Sequence, residues 1–319
     1  MGGRIIKMKN AIDNLIDKIK EKNNPTVIGL DPRYEMIPKC ITQKYAPTLE
    51  GASKAIIEFN KRLIDATYDI IPAVKPQIAF YEMFGIEGMK AFKETCEYAK
   101  QKGMLVIADI KRGDIGSTAE GYSNAFLGKT KIGSKEESIF DVEFVTLNPY
   151  MGIDSIKPFI EDCKKYNKGI FILVKTSNPS SGDIQDVKMK DGEELYTKVA
   201  KLVENWGEEL RGEYGYSSVG GVVGATYPEQ IESLRKIAPH TFFLIPGYGA
   251  QGGKANDIAK AFDSNGIGGI VNSSRGLMCA YKSELWKEKY SEDEFEKATR
   301  AEALRMKGDL TCQYKHLQN

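Results

Sequence analysis

The sequence predicts one (β/α)8 barrel domain spanning residues 1–319, with an extra helix before the first strand and a long helix after the last. Eight short apolar or β-branched runs alternate with longer segments of helical period, the pattern of βα units around a parallel sheet. No Pro/Gly/Ser-rich linker or low-complexity tract divides the chain. Eight strand–helix repeats are the number that closes a barrel. A doubly wound open sheet shares this element order, but the spacing favours the barrel.

The first helical pattern, AIDNLIDKIKEK, occupies 11–22 and precedes any strand. Strands are then expected at TVIGLD (26–31), IPAVK (71–75), MLVIAD (104–109) and FVTLN (144–148). Four more follow at GIFILVK (169–175), GGVVGA (220–225), TFFLIP (241–246) and GGIVN (268–272). Between them, segments such as 52–70 and 192–211 repeat apolar residues at three and four positions, so each presents one buried stripe. A last helical pattern covers roughly 283–306 and should cap or wrap the barrel. The longest excursions, 32–50 and 178–191, follow strands 1 and 5, on the rim where a barrel builds its site.

Composition narrows the partners. The balance of 45 basic and 44 acidic residues, net +1, gives no basis for nucleic acid or an anionic membrane as principal partner. No apolar run approaches the roughly 20 residues that span a bilayer, and the start of the chain carries no cleavage-site signature. Five cysteines form neither a CxxC pair nor a metal-ligand spacing, which reads as reduced thiols in a cytoplasm. Only two histidines are present, so imidazole catalysis or a histidine-rich metal site has little raw material.

The informative residues stand at strand ends. ADIKRGDIGST (108–118) sets Asp109, Lys111, Arg112 and Asp114 directly after a buried run. Alternate strand residues share a face, so Asp109 and Lys111 should both enter the barrel mouth. Asp31 ends strand 1 and Lys75 ends strand 2, so three neighbouring strands deliver charges of alternating sign to one rim. Such a cluster rarely stabilises more than an apolar one, and a solvated salt-bridge network is the bland alternative. Across the mouth, strand 7 runs into PGYGAQGGK (246–254) and strand 8 into NSSRG (272–276). Glycine-rich backbone next to Arg275 suits a phosphate, in the position where barrels hold one. GYGAQG matches GxGxxG but follows the seventh strand, not the first of a nucleotide domain, so a dinucleotide site is disfavoured.

Together, GLDPR, VKPQIAFYE, ADIKRGDIGST, TLNPYMG, LVKTSNP, IPGYGAQGG and NSSRG resemble the orotidine 5′-phosphate decarboxylase family, in its longer bacterial branch. The resemblance implies decarboxylation of orotidine 5′-phosphate to uridine 5′-phosphate, without cofactor or metal. It implies Lys111 as proton donor to the ring carbon, Asp109 beside the departing carboxylate, and Lys75 holding Asp109 and a ribose hydroxyl. Asp31 would bind ribose. Asp114 and Thr118 would cross a homodimer interface into the neighbouring site. Ser177 would contact the pyrimidine, and Pro246, Gln251, Ser274 and Arg275 would line the nucleotide, Gln251 and Arg275 at the phosphate. Ser274 replaces the glycine expected before the arginine in shorter members, and Arg112 is given no role. Two other readings fit the same barrel: a metal-dependent sugar-phosphate lyase or synthase, and a non-catalytic phosphate-ligand binding barrel.

Overall fold

A computed structural model of the chain describes residues 9–226, 228–249, 253 and 255–317. Eight strands close a parallel barrel: β1 (Thr26–Leu30), β2 (Ala73–Pro76), β3 (Leu105–Arg112), β4 (Phe144–Leu147), β5 (Gly169–Lys175), β6 (Ser217–Val223), β7 (Thr241–Pro246) and β8 (Gly269–Ser273). Each pairs with its sequence neighbour, and β8 pairs with β1 to complete the ring. The open-sheet alternative is thereby excluded.

Period-2 alternation builds two cores. Val27, Ala73, Ile107, Phe144, Phe171, Phe242 and Ile270 form the inward cluster, while Ile28, Val74, Val106, Val145, Ile172 and Val271 pack against the surrounding helices. The helix Ala11–Lys22 buries Ile12, Leu15, Ile16 and Ile19 in the inward cluster, plugging the bottom of the barrel. Its buried Asp13 accepts from the backbone N–H of Glu213 (2.9 Å) and Tyr214 (3.3 Å), which ties the plug to the approach to β6.

Some boundaries differ from those expected. Strand β6 starts at Ser217, three residues before the predicted run at 220, because Ser217 Oγ donates to Gly207 O (2.7 Å) and accepts from Val219 N (3.0 Å). The hydroxyl is satisfied locally, so a residue that reads as turn-forming enters the strand. The last helix is Phe295–Leu317, not 283–306; 283–290 forms turns, and a capping box of Ser291 with Glu294 opens the new helical path. A two-stranded hairpin, Thr130–Ile132 with Lys135–Glu137, lies outside the barrel.

Candidate active site

One residue further along the inward face of each strand, the apolar layer gives way to polar side chains. Above Gly29, Ala73, Ile107 and Phe144 stand Asp31, Lys75, Asp109 and Thr146, as period 2 dictates. Lys75 and Asp109 are buried, 4% and 5% exposed, which makes pairing obligatory. Lys75 Nζ lies 2.6 Å from Asp109 Oδ2, and Lys111 Nζ lies 2.5 Å from Asp109 Oδ1. Thr146 Oγ1 donates to Asp109 Oδ1 (2.8 Å) and accepts from the backbone N–H of Lys111 (3.0 Å).

The backbone helps to aim Lys111. The pairing of β3 with β4 shifts between Ala108 and Arg112, and Lys111 adopts φ +46, a left-handed conformation unusual for a side-chain-bearing residue. Such a residue costs on the order of 1–3 kcal/mol and persists where its surroundings over-determine it. Here the Thr146 hydroxyl and the Asp109 carboxylate do so. Lys111 remains half exposed at the mouth while its amine stays against Asp109.

The electrostatics follow from this packing. Burial opposes the charge on Asp109, but the ammonium groups of Lys75 and Lys111 outweigh it and hold the carboxyl well below the ordinary carboxylate range. Burial likewise opposes the charge on Lys75, yet the Asp109 and Asp31 carboxylates raise its pKa above the ordinary lysine value. Asp31 keeps one buried oxygen, Oδ1, without a hydrogen-bond partner among the described residues. An acceptor so placed calls for a ligand donor.

Two cavity lobes meet at this array and share Lys75, Asp109 and Pro246. One, of about 350 Å³, continues over Asp31 and Arg33 to Tyr248, Ser274 and Arg275. The other, of about 400 Å³, is lined by Lys111, Thr146, Thr176, Ser177, Gln185 and the apolar Leu173, Val222 and Leu244. An elongated ligand with a polar and an apolar half fits across the ridge.

Most residues singled out from sequence therefore converge: Asp31, Lys75, Asp109, Lys111, Ser177, Pro246, Ser274 and Arg275 all line these lobes. Asp114 and Thr118 line neither lobe; they follow β3 around the start of the helix Gly116–Phe126, with Asp114 Oδ1 accepting from Ile115 N (2.8 Å). Gln251 lies outside the described residues. Arg112 turns outward to Glu82 and Tyr122.

Several residues were missed. Thr146 was legible as the inward position two after Phe144, and Asn272, 8% exposed beneath Ser274, as the inward position two after Ile270. Lys175, two after the cavity-lining Leu173, carries the same signal but does not reach the cavity. The pairing of β5 with β6 shifts between Leu173 and Lys175, which takes Lys175 out of the cavity lining to Asp186 (2.6 Å) and Ser181 (3.3 Å). Gln185 then closes the same loop, accepting from Thr176 N at 2.9 Å and donating to Thr176 Oγ1 at 2.8 Å.

Similarity to known proteins extends over most of the chain. Residues 25–285 match the model of the orotidine 5′-phosphate decarboxylase / HUMPS family. The orotidine 5′-phosphate decarboxylase of Clostridium botulinum is 46% identical over 301 residues, covering 94% of this chain and 98% of the relative. That of Caldicellulosiruptor bescii is 44% identical over 296 residues, covering 92% and 95%. Among solved structures, the OMP decarboxylase of Leishmania donovani superposes with a TM-score of 0.71 at 30% identity, covering 96% of this chain and 99% of that one.

Proposed function

The chain belongs to the orotidine 5′-phosphate decarboxylase / HUMPS family, and from that membership we propose how its barrel mouth converts orotidine 5′-phosphate to uridine 5′-phosphate and carbon dioxide. The relatives named above are orotidine 5′-phosphate decarboxylases matched over almost their whole length, which supports the decarboxylase reading over the synthase one. The observation that carries the mechanism is the Lys75–Asp109–Lys111 array on the ridge between the two lobes.

The pyrimidine enters the lobe of Lys111 and Ser177, and the ribose phosphate enters the lobe of Asp31 and Arg275. The unpartnered Asp31 Oδ1 accepts a ribose hydroxyl. Arg275 grips the phosphate, and Ser274 and Pro246 shape the wall beside it. When the bond from the ring carbon to the carboxylate breaks, carbon dioxide leaves and the electron pair stays on the ring. The Lys111 ammonium faces that growing charge, stabilises it most in the transition state, and transfers a proton to the carbon. Asp109, held ionised by two lysines, keeps the Lys111 amine in place and stands next to the departing carboxylate. Because the cations are fixed before substrate arrives, little reorganisation accompanies the reaction. A cation placed at the carbanion takes the role an electron sink would otherwise play, so the reaction runs without cofactor or metal.

We read the active form as a homodimer with shared sites, Asp114 and Thr118 completing the neighbour's mouth. Met83, Ile86, Ile115, Tyr150, Met151 and Ile153 are exposed on segments following β2, β3 and β4, Ile115 directly after Asp114. So many large apolar side chains on adjacent loops suit a protein interface. The chain is taken as one domain, since the outer core runs from Ile28 to Leu310. It is taken as cytoplasmic, since all five cysteines are unpaired thiols and no described helix is long and apolar enough to cross a membrane.

The deciding experiment follows the ultraviolet absorbance of orotidine 5′-phosphate with time, before and after treatment with a chelator. A chelator-insensitive decrease is expected. Binding without absorbance change would reduce the protein to a nucleotide-binding barrel, and loss of activity on chelation would restore the metal-dependent reading.

A further inference from the structure

The family match ends at residue 285, yet the helix Phe295–Leu317 reaches the phosphate end of the cavity. Tyr248 makes the connection. It sits between Gly247 (φ 104) and Gly249 (φ 68), in the glycine-rich segment after β7. Backbone bonds from Gly253 N to Gly247 O (3.1 Å) and from Gly249 N to Gly253 O (3.0 Å) close the neck of that segment. Both glycines next to Tyr248 occupy conformations that side-chain-bearing residues avoid, so the neck has little stiffness of its own. The Tyr248 side chain supplies what the backbone lacks. It is 5% exposed, lines the Arg275 lobe, and its hydroxyl donates to Asp309 Oδ2 on the terminal helix. Asp309 lies 3.8 Å from Arg305, which is itself paired to Glu302 at 2.7 Å. On the outgoing side, the helix Ala255–Ala259 packs on the same terminal helix. Both ends of the glycine segment are therefore fastened to one element that lines neither lobe.

We propose that Asp309 is a positioning residue for the phosphate subsite, acting through Tyr248, and that the terminal helix is thereby part of the substrate-binding apparatus. This rests on the reading of the Arg275 lobe as the place of the phosphate. A hydrogen bond to a carboxylate is about twice as strong as one between neutral groups, and losing it leaves the buried Tyr248 hydroxyl only the Arg305 guanidinium beside it. Burial and the neighbouring Asp309 both push the Tyr248 phenol up, so it stays a donor across the working pH range. With the bond gone, the neck samples conformations in which the backbone no longer meets the phosphate, and binding pays for the reordering.

The test compares Tyr248→Phe, Asp309→Ala and Asp309→Asn with the unsubstituted enzyme, on orotidine 5′-phosphate and on phosphate-free orotidine. Tyr248→Phe and Asp309→Ala are each expected to lower kcat/KM for orotidine 5′-phosphate about tenfold, chiefly through KM. The loss on orotidine should be several-fold smaller, the double variant no worse than either single one, and Asp309→Asn, which keeps a neutral acceptor oxygen, between the parent and Asp309→Ala. Equal losses on both substrates, or no loss on either, overturn the proposal. Tyr248→Phe removes one oxygen, so it preserves the test if Asp309→Ala folds poorly. Arg275→Ala is run alongside. If Arg275→Ala is not selective for the phosphate-bearing substrate, the reading of the lobe fails. If it is selective while Tyr248→Phe and Asp309→Ala are not, the positioning role alone fails.

Discussion

A Cβ on Gly29 would stand 1.8 Å from Ser274 Oγ and 2.8 Å from Ser274 Cβ, so the inward face of β1 leaves out a side chain to admit one from the residue after β8. Asn272 Nδ2 donates to the same hydroxyl (3.2 Å), which fixes Ser274 directly before Arg275. The serine that replaces the expected glycine is accommodated by a glycine on the neighbouring strand. Gly29→Ala should therefore displace Ser274, destabilise the fold by about 1–3 kcal/mol and raise KM. Adding Ser274→Gly should recover most of both losses. A double variant no better than Gly29→Ala, in thermal unfolding and in KM, would separate the two residues.

Lys75 and Lys111 both hold Asp109, but their surroundings differ, and so should the consequences of removing them. Lys111 is half exposed, and its ion pair adds little to stability after solvent screening. Lys111→Ala should lower turnover by about 10³-fold or more with a nearly unchanged unfolding temperature, since it removes both the proton and the charge facing the carbanion. Lys75 is buried, so Lys75→Met leaves Asp109 short of a partner in a dry site and should cost on the order of 3 kcal/mol of stability. Turnover and thermal unfolding measured on both variants check this. Near-normal turnover in Lys111→Ala would remove its role as proton donor.

Arg275 ends the other lobe, remote from the array. Arg275→Ala should raise KM for orotidine 5′-phosphate at least about tenfold, since a forked cationic donor to phosphate is lost, and an unchanged KM would take Arg275 out of the phosphate site.

The array was legible in the sequence because strand periodicity is rigid: once Val27, Ala73, Ile107 and Phe144 face inward, Asp31, Lys75 and Asp109 must follow, and Thr146 could have been found the same way. Lys175 escaped because the register shift on β5 breaks that rule, and no local signal marks the shift. The hairpin at 130–137 was invisible for the opposite reason. Its six strand residues are mostly exposed, with no apolar alternation to read. Residues 283–290 carry helical spacing yet form turns, and the terminal helix begins only after the capping box of Ser291 with Glu294. Asp114 and Thr118 lie past the end of β3 and line neither lobe, so the strand periodicity that exposes the array does not reach them.

The charged array should also shape stability against pH. The carboxyl of Asp109 titrates lower in the folded chain than its ordinary value of 3.8, so its contribution is complete above that value and is lost as pH falls through the folded pKa. For Lys75 the folded pKa is raised, so its contribution is complete below the ordinary value of 10.5 and is lost as pH rises through the folded pKa. Denaturant midpoints should therefore fall more steeply in the parent than in the double variant Lys75→Met/Asp109→Asn, both below pH about 4 and above pH about 10. Parallel curves would mean that the pairing adds nothing to folding.

The shared-site reading makes a quantitative demand on mixtures. A chain with Asp114→Ala still has its own Lys111, and a chain with Lys111→Ala still offers Asp114 to a neighbour. Each homodimer lacks one component in both sites and should be inactive, whereas a hybrid holds one complete site of two. Random exchange makes half of the dimers hybrid, so an equal mixture should regain about a quarter of the parent activity, given the two-fold symmetry of such an assembly. Subunit exchange is followed independently with differently tagged chains. Recovery near a quarter ties Asp114 to the partner's cavity across the apolar loops after β2, β3 and β4. Exchange without recovery would return Asp114 to its own chain, where it does no more than accept from Ile115 N, and the exposed loops would need another occupant.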